Sequence, residues 1–123
     1  MKTLKAGSSY HEWEVELLRS DRELAIEYLK AALESLEKPE ERAGSLLMLR
    51  ALAEAYGGVA AIAVQAGISR ESLYRALSPK GNPTMKTLIA VVNSMGLRLS
   101  VVEPQRKANK RAKAKARSAR KAA

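Results

Sequence analysis

The sequence predicts an all-α fold, and three observations predict it. Helix-forming residues (Ala, Leu, Glu, Lys, Arg) dominate a chain of 123 residues that is 46% hydrophobic and contains no Phe. Apolar residues recur at helical spacing through most of the chain, with β-branched runs confined to two short stretches. Capping and breaking residues separate those periodic stretches. The length suits one domain with a modest core.

Taken in order, residues 1–9 are expected to be a loose arm and 10–19 a short helix. Ser20-Asp21-Arg22-Glu23 has the S-x-x-E capping-box form, which starts a helix at about residue 21. Leu24, Ala25, Tyr28, Leu29, Ala32, Leu33 and Leu36 form its apolar stripe. Pro39 fits the first position of the next helix, with Glu40 and Glu41 in its positive first turn. "SLLMLRALAEAY" is apolar on most sides, so that helix should be the buried centre, ended by Gly57-Gly58. A short helix over 59–65, a turn at Ala66-Gly67-Ile68 and a helix capped by Ser69 follow. Pro79 should stop this one near Ser78. Thr84 caps a last helix over 85–95, closed by Gly96. "LRLSVV", 97–102, has strand character and would need a second chain or the N-terminal arm to pair with. Residues 104–123 are low-complexity Ala/Lys/Arg, expected to be disordered. The expected divisions are 1–38, an arm with acidic helices; 39–103, the main domain; and 104–123, the basic tail.

Charge is unevenly spread. The net +9 of the chain resides in residues 104–123, which hold nine Lys/Arg and no acid. Residues 10–41 sum to −6 and residues 42–103 to +4. Two surfaces with different partners follow: a basic half for an anion, an acidic half for something basic. With no Cys, disulfides and thiolate metal sites are excluded. No apolar run approaches the roughly 20 residues of a membrane span, and "MKTLKAGSSYHEW" has no stretch of signal-peptide type. A cytoplasmic, nucleoid-associated protein with no membrane partner is expected.

The chemistry concentrates in "QAGISRESLYRALSPKGNP", 65–83. The spacing from Val59 to Leu77 is that of a helix-turn-helix. Small Ala63 permits close approach, Gly67 supplies the turn, and Ile62, Ala66, Ile68, Leu73 and Ala76 or Leu77 lock the helices together. At about 100° per residue, Arg70, Glu71, Tyr74, Arg75 and Ser78 fall opposite Leu73 and Leu77. Such a face suits a DNA major groove. Arg donates to guanine, Glu accepts from cytosine, and Tyr74 packs on a thymine methyl or bonds a phosphate. Ser69, Ser72 and the free N–H groups of the helix start suit a phosphate, and Lys80, Asn82 and Thr84 would reach the flanking backbone. The plainer reading is an αα corner with a solvated charged face.

These residues carry a resemblance. The chain resembles the lambda-repressor/Cro-type helix-turn-helix class and, more closely, the HigA-like antitoxins called probable addiction module antidote proteins. "ISRESLYRALSPKGNPTMKTLIAVVNSMGLRLSV" is similar to that family's "LSRESLYKALSPEGNP…T…V…ALGLRL", and "LAIEYLKAALE" to its upstream "AIAAYLNEALE". The resemblance spans about residues 10–102. It implies a five-helix repressor-type domain with an N-terminal helical extension, and a transcriptional autorepressor of a type II toxin–antitoxin operon. It also implies a small basic RelE/HigB-like toxin, a ribosome-dependent ribonuclease, as partner. Two departures stand out: "GGVAAIAVQ" replaces a polar "GMSQIARE"-like start, and the basic tail lies outside the family pattern.

The acidic half includes Glu16, Glu23 and Glu27, which either meet the basic toxin or form an ordinary solvated face. Tyr10 and Trp13 are the anchors if a partner docks there, or they pack on the domain. His11, the one histidine, lacks the companions of a zinc site or a nucleophilic triad. No catalytic residue, metal ligand or cofactor is expected, and no enzyme. The tail is either a DNA-tracking arm or a solubilising extension. A homodimer on a palindromic double-stranded operator is expected, because one recognition helix reads only a few base pairs. The competing functions are a protein-binding scaffold without operator specificity and a phage-type repressor or nucleoid protein without a toxin.

Overall fold

The computed structural model describes residues 9–104. Among them the chain forms six helices and no strand: α1 (Tyr10–Ser20), α2 (Arg22–Ser35), α3 (Arg42–Ala55), α4 (Val59–Ala66), α5 (Arg70–Ala76) and α6 (Met85–Ser94). Four of these, α3 to α6, fall within 39–103, where the sequence reads four; the five-helix arrangement that the resemblance implies is not reproduced as such. None of the described helices alone is long and apolar enough to cross a membrane.

The centre is α3, as its sequence predicts. Ser45, Leu46, Leu49, Ala51, Leu52, Ala53 and Ala55 are all buried, so the helix is covered on nearly every side. The acidic helices α1 and α2 pack against one part of it through Val15, Leu18, Ala25, Leu29 and Ala32. On its other side α4 and α6 pack together through Ile62, Ala63, Ala66, Ala90 and Val91, and α5 closes onto α4 through Leu73. Burying a Leu-sized side chain contributes about 1.5–3 kcal/mol, so this shared core is what fixes the exposed faces in place.

Local signals set three boundaries as expected. Ser69 accepts from Ser72 N at 3.0 Å and caps α5, and Thr84 accepts from Thr87 N at 3.2 Å and caps α6. Gly67, at φ 71°, ends α4 with its N–H on Ala63 O and Val64 O.

Other boundaries differ. The capping box does not form: Ser20 is the last residue of α1, its hydroxyl donating to Leu17 O at 3.1 Å. The chain breaks instead at Asp21, extended at φ −126°, whose carboxylate accepts from Leu24 N at 3.0 Å. Pro39 does not begin α3. Lys38 N donates to Ser35 O and Glu41 N to Lys38 O, so 35–41 are wound into successive tight turns and the helix starts only at Arg42. The strand expected over 97–102 is absent. Leu97 N still donates to Val92 O, and beyond it no neighbouring segment among the described residues offers a ladder. Leu97 and Leu99 instead are partly buried against the core, and they line one groove with Ile26, Leu29, Leu33 and Val92. The loose arm expected over 1–9 and the disordered tail expected over 104–123 lie, but for Ser9 and Pro104, outside the described residues.

Candidate nucleic-acid interface

α5 is a seven-residue helix held at both ends. Ser69 Oγ accepts from Ser72 N and donates to Ser72 Oγ at 2.9 Å, which fixes its first turn. At its other end Ser78 Oγ donates to Arg75 O at 2.7 Å and Gly81 N to Ser78 O at 2.8 Å, folding the following loop back on the helix. Leu73 is fully buried beneath it. Arg70, Glu71 and Arg75 stand in solvent on a helix anchored at both ends.

The structure distributes the candidate residues unequally. Ser72, Arg75, Lys80 and Asn82 line one open groove of about 560 Å³ beside the end of α5. Ser69, Arg70 and Glu71 are exposed at its beginning. Thr84 is exposed, but its hydroxyl is engaged as the cap of α6. Asn82 is exposed with its amide oxygen accepting from Arg42 Nη2 at 2.9 Å, leaving the NH2 group as the part that can donate outward. Tyr74 departs from its expected place. It is half-buried, packed against the core, with the Arg50 guanidinium over its ring at 4.6 Å. Its ring belongs to the joint between α3 and α5.

Three contributors were not read from the sequence. Arg42 ties the loop down by donating to Gly81 O at 3.4 Å as well as to Asn82, and no local pattern announces it. Arg50 is equally silent, because its partner lies 24 positions away. Lys86 is exposed, with its ammonium beside Gly67 at the α4–α5 corner. A Lys in the first turn of a helix opposes the helix dipole, and that anomaly was legible. Arg70, Arg75, Lys80 and Lys86 together give this side several exposed cations, with Glu71 among them.

The acidic side is separate. Tyr10 is 72% exposed and Trp13 37%, their rings tilted at 41° with centroids 5.5 Å apart. Glu16 is paired to Arg19 at 2.9 Å and Glu27 to Lys30 at 3.5 Å, while Glu23 is exposed in the first turn of α2. His11 is bound to Glu54, bridging α1 to α3, and Tyr28 OH donates to Glu14.

A helical domain, among the described residues, with one cationic helix corner and one acidic helical pair is the class that this geometry defines. The sequence profile of the family described as probable addiction module antidote protein matches residues 10–103, and the chain belongs to that family. An uncharacterized protein of Haemophilus influenzae is 52% identical over 40 residues. That match covers 32% of this chain and spans only 41% of the relative's length. No solved structure matches the chain.

Proposed function

We propose that the chain is the antitoxin of a type II toxin–antitoxin module, a non-enzymatic, HigA-like regulator. In this reading α4 and α5 act as a helix-turn-helix of the lambda-repressor/Cro type. Two copies bind a palindromic operator at the nucleoid and repress the module's own transcription. The acidic helices α1 and α2 face a small basic RelE/HigB-like toxin.

One observation carries the reading. α5 is capped by Ser69, turned by Gly67 and seated on Leu73, and it holds Arg70, Glu71 and Arg75 in solvent. A rigid helix with exposed base-reading side chains is what major-groove recognition requires. The cations Lys80 and Lys86 flank it, where they suit phosphates. The antidote family supplies the toxin half of the reading.

A second reading is favoured by α4. Its exposed positions include Ala60, Ala61 and Val64, the last 82% exposed, and its N-cap Gly58 makes no side-chain bond. A helix so poor in polar groups grips phosphate weakly, which suits a protein-binding scaffold with no operator preference. A mobility-shift titration against the DNA upstream of the chain's own gene and against scrambled DNA separates the two. Preference for the upstream DNA supports the repressor. Equal affinity for both favours the scaffold.

A further inference from the structure

Arg42 stands where a cation is disfavoured. It is the first residue of α3, and a positive charge in the first turn of a helix opposes the helix dipole. It forms no ion pair among the described residues. Its half-buried guanidinium donates instead to three neutral oxygens: Nη1 to Leu36 O at 3.3 Å, and Nη2 to Gly81 O at 3.4 Å and to Asn82 Oδ1 at 2.9 Å. The shortest of the three reaches the exposed side chain of Asn82, far along the sequence.

That bond decides which end of Asn82 is available. An amide side chain accepts at its oxygen and donates at its nitrogen, whereas a guanidinium only donates. The oxygen of Asn82 has to face Arg42, because a flipped amide would set donor against donor. The NH2 group is the end left for the groove of about 560 Å³ that Asn82 lines beside α5. The rest of that lining suits an anion. Arg75 and Lys80 bring two cations, and the Ser72 hydroxyl, which accepts from Ser69 Oγ, keeps its own proton to donate. No carboxylate lines the groove. The loop that carries Lys80 and Asn82 is held between two helices. Gly81 packs so closely on the end of α5 that a Cβ would lie 2.1 Å from Ala76 O, and Arg42 binds the same residue from α3.

We propose that Arg42 is a positioning residue for DNA: through Asn82 Oδ1 and Gly81 O it sets the Asn82 NH2 group, beside Arg75 and Lys80, to donate to one phosphate of the duplex backbone. The proposal rests on the DNA-binding half of the reading above. Donors and cations with no acceptor of opposite purpose among them select an anion, and a backbone phosphate contact carries no sequence preference. Arg42 acts through its neighbour and not on the phosphate itself.

The test titrates the full chain by fluorescence anisotropy against two labelled duplexes, the DNA upstream of its own gene and a scrambled sequence. Asn82→Asp keeps an acceptor for Arg42 but replaces the NH2 group with an anionic oxygen. It should melt no lower than the parent by circular dichroism and lose about tenfold or more in affinity for both duplexes. Arg42→Ala should cost about tenfold in the parent but less than about threefold in an Asn82→Ala background, because most of its effect passes through Asn82. A merely structural role would cost the same in both backgrounds. That result, or parental DNA affinity in Asn82→Asp, overturns the proposal and leaves the DNA-binding reading standing. Losses confined to the upstream DNA assign Asn82 to a base edge and overturn the phosphate contact. A parent chain that binds neither duplex overturns both the proposal and the reading beneath it.

Discussion

Arg50 of α3 lies over the ring of Tyr74 of α5, 4.6 Å from guanidinium carbon to ring centroid. The contact ties the central helix to the exposed one and gives Tyr74 a structural role. Tyr74→Ala should lower stability by roughly 2 kcal/mol, from lost burial and the lost cation–π contact. Tyr74→Phe keeps the ring and should change stability by less than about 0.5 kcal/mol. Urea denaturation reads both. A Phe variant as stable as the parent but weaker on operator DNA would return the hydroxyl to a DNA-contacting role.

Arg70 and Arg75 make few demands on the fold, since both stand in solvent. If α5 reads an operator as proposed, Arg70→Ala and Arg75→Ala should each weaken operator binding by about 1–3 kcal/mol, with scrambled DNA far less affected and thermal melting unchanged. Lys86→Ala should weaken both DNAs alike, as a phosphate contact does. Removing 105–123, with its nine Lys/Arg, should flatten the dependence of affinity on salt and leave operator preference largely intact. A mobility shift over a salt series measures all of these. Equal losses on operator and scrambled DNA for the arginine variants would exclude base readout.

What was legible in the sequence is what neighbours in the chain decide. Ser69 caps the residue three ahead, Gly67 needs only its own φ, and α3 announces its burial by being apolar all round. What was not legible depends on distant partners. Ser20 and Asp21 are both competent caps, and the choice fell to the residue at which α1 and α2 break apart. Tyr74 sits on the polar side of its own helix and is claimed by an arginine from another. Asn82 reads as a free loop amide, yet Arg42, forty positions away, holds its oxygen. "LRLSVV" has strand periodicity, but a strand requires a second edge that this chain does not offer among its described residues.

Tyr28 gives the fold a dependence on alkaline pH. Burial pushes its hydroxyl well above the ordinary tyrosine value, and the hydrogen bond it donates to Glu14 pushes it further. The folded state thus keeps a proton that the unfolded chain releases near pH 10. The associated stability is fully present below that pH and is lost as pH rises past it. Tyr28→Phe leaves the partly buried Glu14 without its donor and should be less stable near neutrality, by about 1 kcal/mol. It has no phenol to ionise, so the gap between the two proteins should narrow above pH 10. Denaturant midpoints between pH 7 and pH 11 measure it; a constant gap across that range would show that Tyr28 does not carry the effect.

Gly81 and Gly67 are both needed, for different physical reasons that substitution can separate. A Cβ on Gly81 would lie 2.1 Å from Ala76 O and 2.4 Å from Arg75 O. Both are backbone atoms at the end of α5, and neither can swing aside. Gly81→Ala therefore forces the loop off the helix, breaking the Gly81 N bond to Ser78 O and loosening Arg42 from Gly81 O. A loss of about 2 kcal/mol or more is expected, together with weaker DNA binding as Lys80 and Asn82 move. At Gly67 the near neighbour of a new Cβ is the Lys86 amine, 3.2 Å away at the end of a flexible side chain. There the penalty is the left-handed backbone at φ 71°, and Gly67→Ala should lose about 1 kcal/mol. Paired urea titrations give the order directly. Gly67→Ala proving the more damaging would mean that the 78–82 loop relaxes freely and does not position the groove beside α5.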